Sequence, residues 1–188
     1  ADFRRDLKEG VSPNGDRYYP AFPYPSFSKM SDEDVELIYE YLFSLPPTVK
    51  LNRHHELNFP FDRRWLLHFW QAFFYQAGTF KPNPQKSASW NRGAYIVEAL
   101  AHCGECHTPR GILGHTKSGV EFSGADYGED YAPNITSDIQ NGLGSWSKSD
   151  WLRYLNSGIK PDFKSSGGEM ASVIRNAASL TKEDQNSD

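Results

Sequence analysis

The sequence predicts an all-α fold, and three observations carry that expectation. Apolar residues recur at helical spacing behind side-chain caps, prolines and glycines stop those patterns, and one helical pattern occurs twice along the 188 residues. The first capped pattern opens at Ser31, an N-cap followed by Asp32-Glu33-Asp34, with Val35, Ile38, Tyr41, Leu42 and Leu45 forming the stripe and Pro46-Pro47 ending it. A second covers Ser89, Gly93, Tyr95, Ile96, Val97 and Leu100, and a third starts at Trp146 and carries Trp151, Leu152 and Leu155. The repetition appears at an offset of 148, where Phe3, Arg5, Leu7, Gly10, Val11 and Pro13 fall on Trp151, Arg153, Leu155, Gly158, Ile159 and Pro161. Further on, Ser31-Asp32-Glu33-Asp34 matches Thr181-Lys182-Glu183-Asp184 at an offset of 150.

These patterns divide the chain into three stretches. Residues 1–46 read as the C-terminal part of a domain whose complete copy is 88–188, and 47–87 as a connector with one short aromatic helix around Trp65 to Tyr75. The chain is therefore expected to be a segment of a longer tandem protein. The aromatic helix reads as a linker helix packed on its neighbours; Arg63 and Arg64 beside Trp65 and Trp70 also suit a helix lying on a membrane surface. Adjacent His54-His55 in this polar stretch reads as exposed rather than metal-binding.

Composition excludes several functions. Twenty Lys and Arg against 24 Asp and Glu give a net charge of −4 without long runs of either sign, so no nucleic-acid partner is expected. The mean hydropathy is −0.67, and the aromatic run, interrupted by His68 and Gln71, is too short to cross a bilayer. Two cysteines exclude a disulfide-rich scaffold and a four-cysteine zinc site.

The spacing of those cysteines carries the chemistry. Cys103-Gly104-Glu105-Cys106-His107 is the CxxCH pattern of c-type haem attachment: two thiols on one tight helical turn can add to the two vinyl groups along one porphyrin edge, and the adjacent imidazole faces the iron. The rival is a redox dithiol, against which stand His107 and the lack of a βαβ pattern. A low-spin iron needs a sixth ligand. Met170, after Gly167-Gly168, is the one methionine downstream, and its thioether would raise the potential relative to two histidines. His102 and His115 are the other candidates near the attachment site, and a packing role is the alternative for Met170.

Together, Ala94-Tyr95-Ile96-Val97-Glu98-Ala99-Leu100, His102 to Arg110, Ala132-Pro133-Asn134-Ile135-Thr136-Ser137-Asp138, Gly142 to Ser147 and Gly167-Gly168-Glu169-Met170 resemble the cytochrome c subunits of bacterial membrane-bound dehydrogenases acting on alcohols, aldehydes or gluconate. Tyr19 to Tyr24 and Met30 to Asp34 extend the likeness over almost the whole chain. The resemblance implies a class I cytochrome c domain, with Pro133, in a Pro133-Asn134 segment, offering the carbonyl that accepts the Nδ1 proton of His107. It further implies that Trp146 donates its indole N–H to a haem propionate, that Arg110 offsets propionate charge, and that His107 and Met170 ligate the iron of a covalent haem c.

The family's setting implies the function. The chain would be an electron-transfer subunit rather than an enzyme, in the periplasm at the outer face of the inner membrane. It would relay electrons from a dehydrogenase catalytic subunit to quinone or an oxidase, with peripheral membrane association. A haem enzyme of peroxidase-like or sulfur-oxidising type is the alternative. One CxxCH allows one covalent haem here, and where the second copy has Met170 the first has Phe22, which cannot bind iron; Met30 reads as a packing residue.

Overall fold

The computed structural model describes residues 2–127 and 130–187, which divide into two compact units, 1–81 and 82–188. Among the described residues no helix is long and apolar enough to cross a membrane.

In the first unit, α1 (Asp2–Glu9), α2 (Tyr24–Phe27) and α3 (Asp32–Ser44) enclose Tyr24, Met30 and Val35, all nearly inaccessible. Ser31 caps α3 by accepting from the Asp34 N–H at 3.0 Å. Lys8 buries its stem and donates its ammonium to Met30 O at 2.7 Å and Asp32 at 2.9 Å. The expected stripe on α3 is only partly used: Val35 is buried and Ile38 half-buried, whereas Tyr41, Leu42 and Leu45 are exposed, beyond the point where Phe3 of α1 meets Tyr39. Met30 is a packed core side chain, 3% exposed.

The expected connector does not stand apart from this unit. Its aromatic helix, α4 (Leu66–Phe74), turns Leu67 and Gln71 inward, Gln71 donating to Glu9 O at 3.1 Å, while Tyr75 donates its hydroxyl to Lys8 O at 2.7 Å. Trp70 and Tyr75 meet the Tyr24 ring edge to face. His54 and His55 are exposed, the latter against Tyr19 with ring centroids 5.5 Å apart.

In the second unit Ser87, not Ser89, caps the first helix, accepting from Trp90 N–H at 3.0 Å. α5 (Ala88–Tyr95) continues into a π-helical turn, Ile96–Leu100, and α6 (Gly104–His107) holds the CxxCH histidine. Then come β1 (Ala125–Tyr127), β2 (Asp130–Ala132), α7 (Lys148–Ser157), α8 (Met170–Ala177) and α9 (Lys182–Gln185). The unit is mostly helical, but β1 and β2 pair antiparallel with Ala125 opposite Ala132, a small sheet that the all-α expectation lacks. Three residues per strand give too little alternation to be read from sequence.

The repeat seen in the sequence is also a repeat of structure. A hairpin follows α1 with Val11 opposite Arg17, and another follows α7 with Ile159 opposite Ser165, each position displaced by 148. Gly10 and Gly158 begin them at φ +63° and +73°, and the left-handed turn at Gly158 ends α7. Beside Gly158 lies Ile174; beside Gly10 lies Tyr24, its counterpart at an offset of 150.

Candidate haem site

The backbone widens just before the attachment motif. Ala101 N–H bonds to Ile96 O at 2.7 Å, an i to i+5 bond, and Cys103 N–H to Val97 O at 2.9 Å. Such π-type turns shift the residues beyond them and recur at functional sites. They turn the chain from α5 into α6 through His102, whose φ is +40°. Cys103 and Cys106 are unpaired and half-buried, four-residue α6 lying between the first thiol and Thr108.

His107 is 8% exposed, and its Nδ1 lies 2.7 Å from Pro133 O, 26 residues away. A carbonyl can only accept, so Nδ1 carries a proton, and in the neutral imidazole this leaves the lone pair on Nε2. That is the tautomer a metal-binding imidazole requires, with a carbonyl partner raising its basicity. Pro133 is held in turn: Asn134 Oδ1 accepts from Thr136 N–H at 2.8 Å and Thr136 Oγ1 at 2.7 Å, an Asx turn, and Ile135 N–H bonds to Phe122 O at 2.9 Å.

Cys103 does not have the electrostatics of a redox thiol. Burial pushes the Cys103 thiol up to about 11, further from thiolate than a free cysteine, whereas reactive CxxC pairs lower it. Two thiols, one Nδ1-protonated histidine and the absence of another cysteine fit haem attachment, with His107 offering Nε2 and Cys103 and Cys106 the thioether sulfurs.

Arg110 is anchored within the protein. It donates to Glu105 Oε2 at 2.6 Å, Glu105 O at 2.9 Å and Gly114 O at 2.7 Å, tying a hairpin, Arg110 opposite Thr116, to α6. Trp146 and Met170 belong to the other half of the unit, where α7 and α8 pack together. Trp146 is half-buried and meets Tyr154 edge to face at 5.3 Å, and Tyr154 shares a hydrogen bond with Ser166 at 2.8 Å. Met170 is half-buried and is the first residue of α8, one position after the N-cap Glu169 and two after Gly168 at φ +58°.

Residues that sequence patterns do not single out hold the histidine segment. Thr108, 3% exposed, accepts from Phe122 N–H at 3.1 Å, and Gly124 N–H bonds to His107 O at 2.8 Å. Gly124 has φ +92°, and a Cβ there would lie 2.9 Å from Ala132 O and from Asn134 N. The readable signals are the Ser123-Gly124 turn and Asn134-x-Thr136, but neither announces its partner.

No family model matches the chain. Individual proteins do. Over 98% of its length it is 36% identical to a nicotinate dehydrogenase component of Pseudomonas putida and 38% identical to a diheme cytochrome c-type protein of Cereibacter sphaeroides. Over 93% it is 37% identical to the fructose dehydrogenase cytochrome subunit of Gluconobacter japonicus. The chain is a homologue of dehydrogenase cytochrome c subunits. It spans 16%, 62% and 36% of those three proteins, respectively. Within the cytochrome c framework the mostly helical second unit is the one that carries the attachment motif, and haem c is the cofactor that this homology implies.

Proposed function

We propose that the chain transfers electrons through one covalent haem c held by Cys103 and Cys106, with His107 and Met170 as axial ligands, within residues 88–188. Bound there, the haem supplies a reversible one-electron couple. The observation that carries the reading is His107: its Nδ1 proton is directed to Pro133 O, leaving Nε2 available, immediately beside the two free thiols. Pro133 and Asn134 fix the imidazole, Trp146 braces the α7 side through Tyr154, and Arg110 holds the hairpin against the attachment helix through Glu105.

In this reading the chain serves a dehydrogenase catalytic subunit and passes electrons to quinone or an oxidase at the periplasmic face of the inner membrane, as part of a complex whose catalysis lies elsewhere. Peripheral membrane association has support from α4 and its N-cap residue Trp65: Trp65, Phe69 and Phe73 recur every four residues and are 61%, 56% and 78% exposed.

Redox titration of the holoprotein with a Met170→His variant tests the ligand assignment. The variant should have a lower reduction potential, and the wild type should resist CO. An unchanged potential, or rapid CO binding by the wild type at neutral pH, contradicts it, the latter in favour of a haem enzyme with an open distal site.

A further inference from the structure

The second unit contains a residue that its own fold argues against. Three hairpins in the chain share one hydrogen-bond pattern, those bridged at Val11–Arg17, Arg110–Thr116 and Ile159–Ser165. In each, the residue after the first bridge partner donates to the residue before the second: Ser12 to Asp16 at 2.8 Å, Gly111 to His115 at 2.8 Å and Lys160 to Lys164 at 2.9 Å. In each, the fifth residue closes the turn with a 2.9 Å bond, from Gly15 to Ser12, Gly114 to Gly111 and Phe163 to Lys160. That fifth residue is always left-handed, at φ +89°, +78° and +62°.

Glycine suits this position for its backbone alone, since a Cβ at Gly15 or Gly114 would meet no atom within 4 Å. Phe163 takes the same conformation with a bulky side chain, a genuine outlier for its residue type. Its side chain returns little to the fold, because the residue is 82% exposed and its ring contact is the Arg153 guanidinium, 5.9 Å from the centroid. Neither turn geometry nor core packing accounts for phenylalanine here.

We propose that Phe163 is the anchor of a docking surface for a protein redox partner that offers an apolar recess edged with carboxylates. Arg153 lies against the ring, and Lys160 and Lys164 flank Phe163 in the hairpin; Asp150 and Asp162 pair with Arg153 and Lys164, which leaves Lys160 as the net positive charge of the turn. An exposed, rigidly placed aromatic side chain with an arginine against its ring pairs two residue classes enriched at protein interfaces. The hairpin gives it that rigidity: Ser166 N–H bonds to Gly158 O at 3.0 Å and Ser166 Oγ to Tyr154, at the end of the segment leading to Met170. On the electron-transfer reading, upon which this inference rests, the partner is the dehydrogenase catalytic subunit.

The test compares the full-length holo-subunit with its Phe163→Gly variant, measuring thermal stability, visible spectrum and the dissociation constant for the purified catalytic subunit of the same complex. The variant should melt at or above the wild-type temperature, keep its spectrum, and bind about tenfold or more weakly. Paired Lys160→Glu and Lys164→Glu substitutions should also weaken binding, most at low salt. Wild-type affinity in Phe163→Gly, or a fall in its melting temperature, overturns the docking role. A wild-type protein that binds its catalytic partner yet is never reduced by it, when the latter turns over, overturns the electron-transfer reading instead. One that does not bind it at all overturns this choice of partner.

Discussion

At the residue scale, glycine at one repeated position has different work in the two copies. Gly10 and Gly158 share a left-handed φ, which an alanine tolerates at a cost of about 1 kcal/mol. Their surroundings differ. An alanine Cβ at Gly158 would stand 3.3 Å from the end of the Ile174 side chain, which can rotate aside, whereas one at Gly10 would overlap the ring of fully buried Tyr24. Gly158→Ala should therefore cost about 1 kcal/mol and Gly10→Ala about 3 kcal/mol or more. Urea unfolding of the two variants checks the order; equal losses would mean that the Tyr24 ring yields as easily as Ile174. The sequence repeat reveals both glycines, but a Tyr-for-Ile exchange beside them shows its consequence only when the distance is known.

At the element scale, the N-terminal helix of the second unit is tied to its last one by an ion pair. Arg92 on α5 meets Asp184 on α9 through two hydrogen bonds of 2.7 and 3.0 Å. Hydrogen bonding to Arg92 is the main cause that holds the Asp184 carboxyl below the usual carboxylate range. A depressed carboxylate stabilises the fold above its unfolded value, about 3.9, and that stabilisation is lost as the pH falls through the folded value. Because Arg92 is partly exposed, the pair is worth about 0.5–1 kcal/mol. Asp184→Asn should thus lower the melting temperature by about 4 °C at pH 7, with the difference shrinking as the pH is taken below about 4. A pH-independent difference would assign the loss to the Thr181 cap instead.

The same scale shows what is legible in the sequence. Ser31 and Thr181 announce their helices because a cap needs only residues three positions apart, and both side chains accept from the expected N–H. Ser89 misplaces the start of α5 by two residues because Ser87 competes for the same role. The β1–β2 hairpin and the Thr108–Phe122 and His107–Gly124 bonds leave no such mark, since each depends on a tertiary return of the chain rather than on a local period. Pro133 is reached through family resemblance, since a separation of 26 residues has no period to betray it.

At the scale of the whole molecule, 188 residues comprise two units whose shared hairpin is the trace of a repeat, but only the second has an attachment motif. At the 148-residue offset of the hairpins the first copy presents Phe22 for Met170, packed edge to face on Tyr18 and Phe27, and its own methionine, Met30, is buried in the core. Both cysteines of the chain lie in the second unit, so the proposed function is quantitative in its demand: one covalent haem, and only there. The most direct measurement is the intact mass of the chain, expressed with a c-type maturation system and stripped of non-covalent ligands. The wild type should carry the added mass of a single haem, and the doubly substituted Cys103→Ala, Cys106→Ala chain should carry none; a wild-type chain at its bare mass with both thiols titratable would contradict the account.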